Sequence, residues 1–224
     1  VVGASRGIGK ELCKKLSEDH NVLAVSRNAE KLEDLKANSG INKIRIAVAD
    51  ISAKNAAEVL TTIYKQHFSK VDVLINCAGY LVNKPLLETT EEDMAKVFQT
   101  NVLGLMASCK AVIPLMSEGG HIVNIGSMGG YQGSVKFPGL SVYSASKSAV
   151  AGFSECLATE TAALNIQVNC LAIGAAQTEM LEEAFPGYEA PLKAIEMANY
   201  IGDFALNANK YINGKTIPVS ISTP

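Results

Sequence analysis

The 224-residue sequence predicts an α/β protein, a doubly wound parallel β-sheet with helices on both faces in three α/β/α layers, forming a single domain over 1–224. Three observations lead there. Short β-branched apolar runs alternate with longer amphipathic stretches along the chain, the pattern of parallel strands joined by crossover helices. A glycine-rich turn separates the first such run from the first such stretch. Hydrophobic residues make up 48% and charged residues 19% of the chain, the balance of a folded domain with a sizeable core rather than a disordered or disulfide-stapled one.

In chain order, strands are expected at 1–2, 21–26, 43–49, 71–76, 121–126, 167–171 and 216–220, and helices at 8–19, 29–38, 53–68, 91–116, 143–164 and 191–206. Two helix starts carry their own chemistry. Ser52 and Thr90 are N-cap types, and Thr90-Glu91-Glu92-Asp93 puts carboxylates in a first turn, where the helix dipole favours them. The first strand has two residues against a usual five or six, and the chain opens on Val1 without Met, so further residues of that strand are expected to precede it. No repeat, low-complexity tract or linker divides the chain.

Composition also excludes several functions. Twenty Lys and Arg against 22 Asp and Glu give a net charge of −2, no electrostatic basis for binding nucleic acid. The most apolar long stretch, 102–116, is broken by Gly104, Ser108, Lys110 and Pro114, so neither a membrane span nor a signal peptide is expected. The five cysteines are odd in number and widely spaced, as suits reduced thiols in the cytoplasm. His20, His67 and His121 stand apart, and no metal site is expected.

The glycine turn reads Gly3-Ala4-Ser5-Arg6-Gly7-Ile8-Gly9 and runs into a helix marked by Leu12 and Leu16. Between a strand and a helix, such glycines permit a tight turn and aim helix N-terminal N–H groups at a pyrophosphate, as in a Rossmann-type fold. The second strand ends in Ser26-Arg27, where a dinucleotide fold meets the adenosine ribose. An acid there would favour NAD(H). Ser26 and Arg27, with Arg6 in the first loop, favour the 2′-phosphate of NADP(H), because the arginine fork donates to phosphate oxygens. Asp50 and Ile51 end the third strand, at the edge where adenine would lie, and Asn76-Cys77-Ala78-Gly79 ends the fourth with small residues.

Tyr-x-x-x-Lys occurs three times, so context must decide among them. Tyr80 and Lys84 lead into Pro85, and Tyr211 and Lys215 enclose an Asn213-Gly214 turn. Tyr143 and Lys147 instead begin a long helical pattern that brings both onto one face. An ammonium on that face favours phenolate over phenol, which makes a tyrosine useful for proton exchange near neutral pH. Ser127, ending the strand Ile122-Val123-Asn124-Ile125-Gly126, lies at the carboxyl end of the sheet, where open α/β folds bind ligands.

Together the ordered residues Gly3/Gly7/Gly9, Asp50, Asn76-x-Ala78-Gly79, Asn101, Ser127, Tyr143 and Lys147 resemble the short-chain dehydrogenase/reductase family, over Gly3 to about Gly214. The resemblance implies that Tyr143 is the acid/base, that Lys147 assists it and holds the nicotinamide ribose, that Ser127 orients substrate, and that Asn101 bends its helix and anchors a proton-relay water. It implies that Asp50 contacts adenine, that Asn76 steadies the sheet, that Ala78 and Gly79 line the cofactor, and that Ile173, Gly174 and Thr178 lie beside nicotinamide and pyrophosphate. A homodimer or homotetramer is implied, with helices 91–116 and 143–164 at the contacts. Val2 stands in place of a usual Thr, Cys77 of a common Asn, and Ile173 of a common Pro. Ser127 and Tyr143 are about three residues further apart than usual, an excess assigned to 134–139, which should bulge beside the site. Segment 179–190 is shorter than the family's lid, which implies either a short lid that leaves the site open to a bulky or carrier-bound substrate or a lid with residues missing from this sequence, and the tail 211–222, ending at Ser222, lacks a glycine-rich ending.

The expected activity is NADPH-dependent reduction of a small-molecule ketone or aldehyde, with a 3-oxoacyl thioester as one candidate. An NAD-dependent alcohol dehydrogenase and a non-catalytic NADP(H) sensor are the alternatives. Sugar-nucleotide epimerase or dehydratase chemistry shares Tyr-x-x-x-Lys but needs a second substrate domain, which this length disfavours.

Overall fold

A computed structural model describes residues 1–40, 43–116 and 119–221; Ser222 lies outside them. Its strands are β1 (Val22–Ser26), β2 (Ile44–Val48), β3 (Val73–Asn76), β4 (Gly120–Ile125), β5 (Ile166–Ile173), β6 (Ala176–Gln177), β7 (Leu192–Lys193) and β8 (Thr216–Val219). The α-helices are α1 (Gly7–Ser17), α2 (Ala29–Asn38), α3 (Ala56–His67), α4 (Glu91–Phe98), α5 (Leu105–Val112), α6 (Ser141–Glu160), α7 (Glu179–Ala184) and α8 (Ala194–Asn207).

The main sheet is parallel throughout, with β1 beside β2 and the row β3-β4-β5-β8. Val2 joins these two groups by bridging Val25 and Asn76. Its N–H donates to the Ile75 carbonyl at 2.9 Å and its own carbonyl accepts from Cys77 N–H at 2.9 Å. The short first run therefore sits at the centre of the sheet, and the glycine loop that follows it emerges where β1 and β3 diverge. That divergence is the switch point at which an open parallel sheet forms a ligand crevice.

Both sheet faces are covered, so β4 and β5 are buried along nearly their whole length, the polar His121, Asn124 and Asn169 included. One layer packs Leu12, Leu16, Leu32, Leu35, Met197 and Ile201 from α1, α2 and α8 against the sheet. The other packs Leu60, Tyr64, Cys109, Val112, Val150 and Leu157 from α3, α5 and α6. Among the described residues no helix is long and apolar enough to cross a membrane.

Several elements depart from the sequence reading. Thr90 does cap α4, in a capping box with Asp93, but Ser52 caps nothing. Its hydroxyl and N–H both bond Asp50 Oδ1, at 2.6 and 2.9 Å, which holds a turn and delays α3 to Ala56. The single helix expected over 91–116 is interrupted by a wide π-turn, Gln99–Gly104, and closes in a short 3-10 turn containing Pro114. The helix expected from 191 starts at Ala194, because Leu192 and Lys193 pair with β6 instead. On α4 and α5, Val97 and Leu105 belong to the core, while Phe98 and the π-turn's Leu103 are exposed.

The thiols offer a simple check of this packing. Burial pushes Cys13 and Cys109 up to about 12 and Cys77 and Cys170 up to about 11, whereas Cys156 stands exposed on α6. At pH 8 the native protein should take up one equivalent of a thiol reagent rapidly, and Cys156→Ser should abolish that phase, with the half-buried Cys77 reacting more slowly. Rapid reaction of Cys13, Cys109 or Cys170 would show that the core is looser than described.

Candidate active site

The glycine loop is shaped by backbone contact. Gly3 has φ +92°, and a Cβ on it would lie 2.4 Å from Ala78 N; a Cβ on Gly9 would lie 2.2 Å from the Gly3 carbonyl oxygen. A side chain at Gly3 would force the loop off the segment that follows β3, and one at Gly9 would drive α1 away from the loop. The first-turn N–H groups of α1 open beside this loop with no acidic side chain among them, an arrangement suited to an anion.

In front of the loop runs a cleft of about 450 Å³. Its walls include Gly3, Ser5, Arg6, Gly7, Ile8 and Gly9 from the loop, then Ser26, Arg27, Asp50 and Ile51 from the ends of β1 and β2. Ala78, Gly79, Tyr143, Lys147, Ile173 and Thr178 complete the other end. Arg27 is mostly exposed and stands 4.0 Å from Asp50. Burial raises the Asp50 carboxyl, but hydrogen bonds from the Ser52 hydroxyl and N–H, with Arg27 beyond, hold it below its ordinary value. Arg6 is engaged across the mouth by both carboxylate oxygens of Glu183 on α7, and that hydrogen bonding keeps Glu183 below the usual carboxylate range.

At the reacting end, α6 begins at Ser141, so Tyr143 lies in its first turn and Lys147 one turn further along the same face. Lys147 is 5% exposed; its Nζ donates to the Ile125 carbonyl at 2.7 Å and lies 5.8 Å from the Tyr143 ring centroid. No ion pair among the described residues includes it. Ser127 caps a short turn, its Oγ accepting from Gly129 N–H at 3.2 Å, which leaves the hydroxyl proton free to donate.

Asn101 is fully buried in the π-turn. Its side chain accepts from Tyr80 N–H at 2.7 Å and donates to the Tyr80 carbonyl at 2.9 Å and Ser146 Oγ at 3.0 Å. Ser146 in turn donates to the Tyr143 carbonyl at 2.6 Å, so one amide ties the loop after β3 to the first turn of α6. Asn76 is also buried and bonds Asn124 on β4 at 2.9 Å. Neither asparagine lines the cleft; both lie beneath it.

A second pocket, of about 320 Å³, meets the cleft at Tyr143, Ile8, Ile173, Thr178 and Met180, and takes in Ser127 and Gly174. The expected site residues are thus all at, or directly under, two connected cavities. Lys31, Tyr80, Glu179 and Met180 line the cleft without a signal in the sequence reading. Lys31 was open to detection: it is the third residue of α2, whose Asn28 cap accepts its N–H at 2.8 Å just after β1.

The family model for short chain dehydrogenase matches residues 1–189. Carbonyl reductase family member 4 of Xenopus laevis is 36% identical over 189 residues, covering 82% of this chain and 77% of its own. The Homo sapiens 3-oxoacyl-acyl-carrier-protein reductase is 33% identical over 229 residues, covering 98% of this chain and 94% of its own. Among solved structures, ElxO with NADP bound superposes with a TM-score of 0.85 at 28% identity, covering 98% of this chain and 95% of that one.

Removing the Asn101 amide strands three partner groups, the half-buried Tyr80 N–H and carbonyl and the buried Ser146 hydroxyl. Asn101→Ala should destabilise the protein by about 2–4 kcal/mol, read as a shifted urea midpoint, while Glu33→Ala on the exposed side of α2 should change it by less than about 0.5 kcal/mol. Equal, small shifts for both would remove Asn101 from its central place.

Proposed function

The chain belongs to the short-chain dehydrogenase/reductase family of oxidoreductases, and from that premise we propose that it reduces a ketone or aldehyde, a 3-oxoacyl thioester among the candidates, to the alcohol with NADPH. The observation that carries this reading is the meeting of Tyr143, Lys147 and Ser127 where a cation-bearing cleft joins an apolar pocket.

The cleft fits the cofactor. Loop 3–9 has no room for a Cβ at Gly3 or Gly9, and the N–H groups at the start of α1 would hold the pyrophosphate. Arg27, Ser26 and Lys31, with Arg6, would surround the 2′-phosphate, and Asp50 and Ile51 would flank the adenine. Glu183 would compete with that phosphate for Arg6. Ala78, Gly79, Ile173, Gly174 and Thr178 would shape the nicotinamide end. That ElxO is solved with NADP bound supports the choice of dinucleotide.

When bound, the reduced nicotinamide supplies the hydride that the carbonyl carbon gains. Tyr143 gives its phenolic proton to the carbonyl oxygen, so that the carbonyl compound, NADPH and a proton become the alcohol and NADP⁺. Ser127 donates its hydroxyl proton to the same oxygen, fixing the carbonyl and stabilising the charge that develops there. Lys147 spends one N–H on Ile125 and has two more for the ribose and for the electrostatics of the phenol. Asn101 and Asn76 act through others, holding Tyr80, Ser146 and Asn124 in place. Assembly as a homodimer or homotetramer belongs to the same proposal; exposed Phe98 and Leu103 offer it an apolar face.

The test is a comparison of binding with turnover. Tyr143→Phe should bind NADPH as wild type does while reducing carbonyl substrates at least about 100-fold more slowly. NADPH should bind at least about tenfold tighter than NADH, and Arg27→Ala should erase that gap. Full activity of Tyr143→Phe would overturn the mechanism, and equal affinity for NADH would favour an NAD-dependent dehydrogenase.

A further inference from the structure

We propose that the substrate is an uncharged carbonyl compound with an apolar chain, its carbonyl set against Ser127 and Tyr143 and its chain running towards Phe137 and Tyr188. This deepens, and rests on, the reductase reading. The basis is the make-up of the 320 Å³ pocket: among the described residues its lining contains no Asp, Glu, Lys, Arg or His.

The polar side chains of the lining are four hydroxyl bearers, Ser127, Tyr143, Thr178 and Tyr188. Ser127 and Thr178 each accept one backbone N–H, from Gly129 at 3.2 Å and from Leu181 at 3.3 Å, and keep a hydroxyl proton to donate, and Tyr143 offers a phenol. The other side chains of the lining are apolar, Met128, Leu140, Leu181 and Phe185 among them. Two of its aromatic rings stand half open to solvent, Phe137 at 47% and Tyr188 at 46% exposure. A chain lying between them would cover surface that a folded protein otherwise keeps from water.

Of the charges that flank the lining, three are engaged elsewhere, and Glu179 and Glu189 bring negative charge only. On α7, Glu183 holds Arg6, and Glu182 accepts from Gln177 Nε2 at 3.4 Å and Gly187 N–H at 3.3 Å. Lys136, next to Phe137, donates to the Tyr131 carbonyl at 2.5 Å and Ser134 Oγ at 2.7 Å. The walls are also fastened to one another: Asn83 Nδ2 donates to the Ala184 carbonyl at 2.9 Å, and Lys84 N–H to the Gly139 carbonyl at 3.0 Å. A carboxylate or phosphate entering this pocket would lose its hydration and find no cation. At about 30 Å³ per atom-sized unit, the volume of a water in the liquid, the pocket accommodates about ten heavy atoms.

The experiment uses the full chain with NADPH and the series 2-butanone, 2-hexanone, 2-octanone and 2-decanone, with 7-oxooctanoate as the charged match for 2-octanone. Binding of each to the NADP⁺ complex is followed in parallel by calorimetry. The rate constant kcat/KM should rise about two- to fourfold per methylene up to 2-octanone, as burial of each CH₂ dictates, and binding should follow. The octanoate should be at least about 100-fold poorer than 2-octanone, and Phe137→Arg, at a half-exposed position, should narrow that gap at least about tenfold. The N-acetylcysteamine thioester of 3-oxooctanoate distinguishes a chain presented as a thioester from a free ketone, and efficient reduction of either supports the assignment. Ketones reduced without a chain-length trend, or the octanoate reduced as well as 2-octanone, would overturn the pocket assignment and leave the reductase reading standing. Ketones bound with the trend but never reduced would overturn the reductase reading alone, and ketones neither bound nor reduced would overturn both.

Discussion

A buried amine without a carboxylate partner is the constraint around which the site is organised. Lys147 is withdrawn from water and bonded to a single backbone carbonyl at the end of β4, an arrangement that is costly unless its remaining donors have work to do. The fold goes to some length to keep it there. Gly130 lets the turn after β4 approach so closely that a Cβ on it would lie 2.6 Å from the Lys147 backbone carbon. Beneath, Asn124 reaches from Asn76 to Ser154 of α6 at 2.9 Å each way, fixing the helix against the strands. Asn101 fixes the same helix from the other side through Ser146. The π-turn that holds Asn101 is therefore part of the machinery that sets Tyr143 and Lys147 in register with the sheet.

Tyr143 also divides two environments. Towards the glycine loop the cleft offers Arg6, Arg27 and Lys31 and the start of a helix, all suited to phosphate; towards Phe137 the pocket offers hydrocarbon and aromatic surface. Keeping these apart lets one protein hold a highly charged cofactor and an uncharged substrate within reach of the same phenol. The Arg6–Glu183 contact links them, since it joins the phosphate loop to the helix that forms one wall of the substrate pocket.

What was legible in the sequence was what depends on neighbours along the chain. The alternation of strands and helices, the glycine turn, and the helical placement of Tyr143 and Lys147 are written in local spacing. Thr90 announced its helix because its capping partner is three residues away. Ser52 misled for the same reason: its type suits a cap, but Asp50, two residues back, took its hydroxyl and N–H. The bend at Asn101 was implied by the family resemblance and by no period; the β6–β7 pair, the Arg6–Glu183 contact and the apolar walls of the substrate pocket depend on residues remote in sequence, and no period reports them. Phe137 lies between these cases. The extra length of 134–139 marked the segment, but only the fold shows its ring at the pocket mouth.

The most direct test of this account is Lys147→Met, examined for both stability and cofactor binding. If the buried amine is there for the cofactor and the phenol, replacing it with an apolar side chain of similar length should leave the melting temperature within about 2 °C of wild type or raise it. NADPH should bind at least about tenfold more weakly, and turnover should fall at least about 100-fold. A melting temperature lowered by more than about 5 °C with NADPH binding intact would show that Lys147 serves the fold and not the chemistry, and would contradict the account.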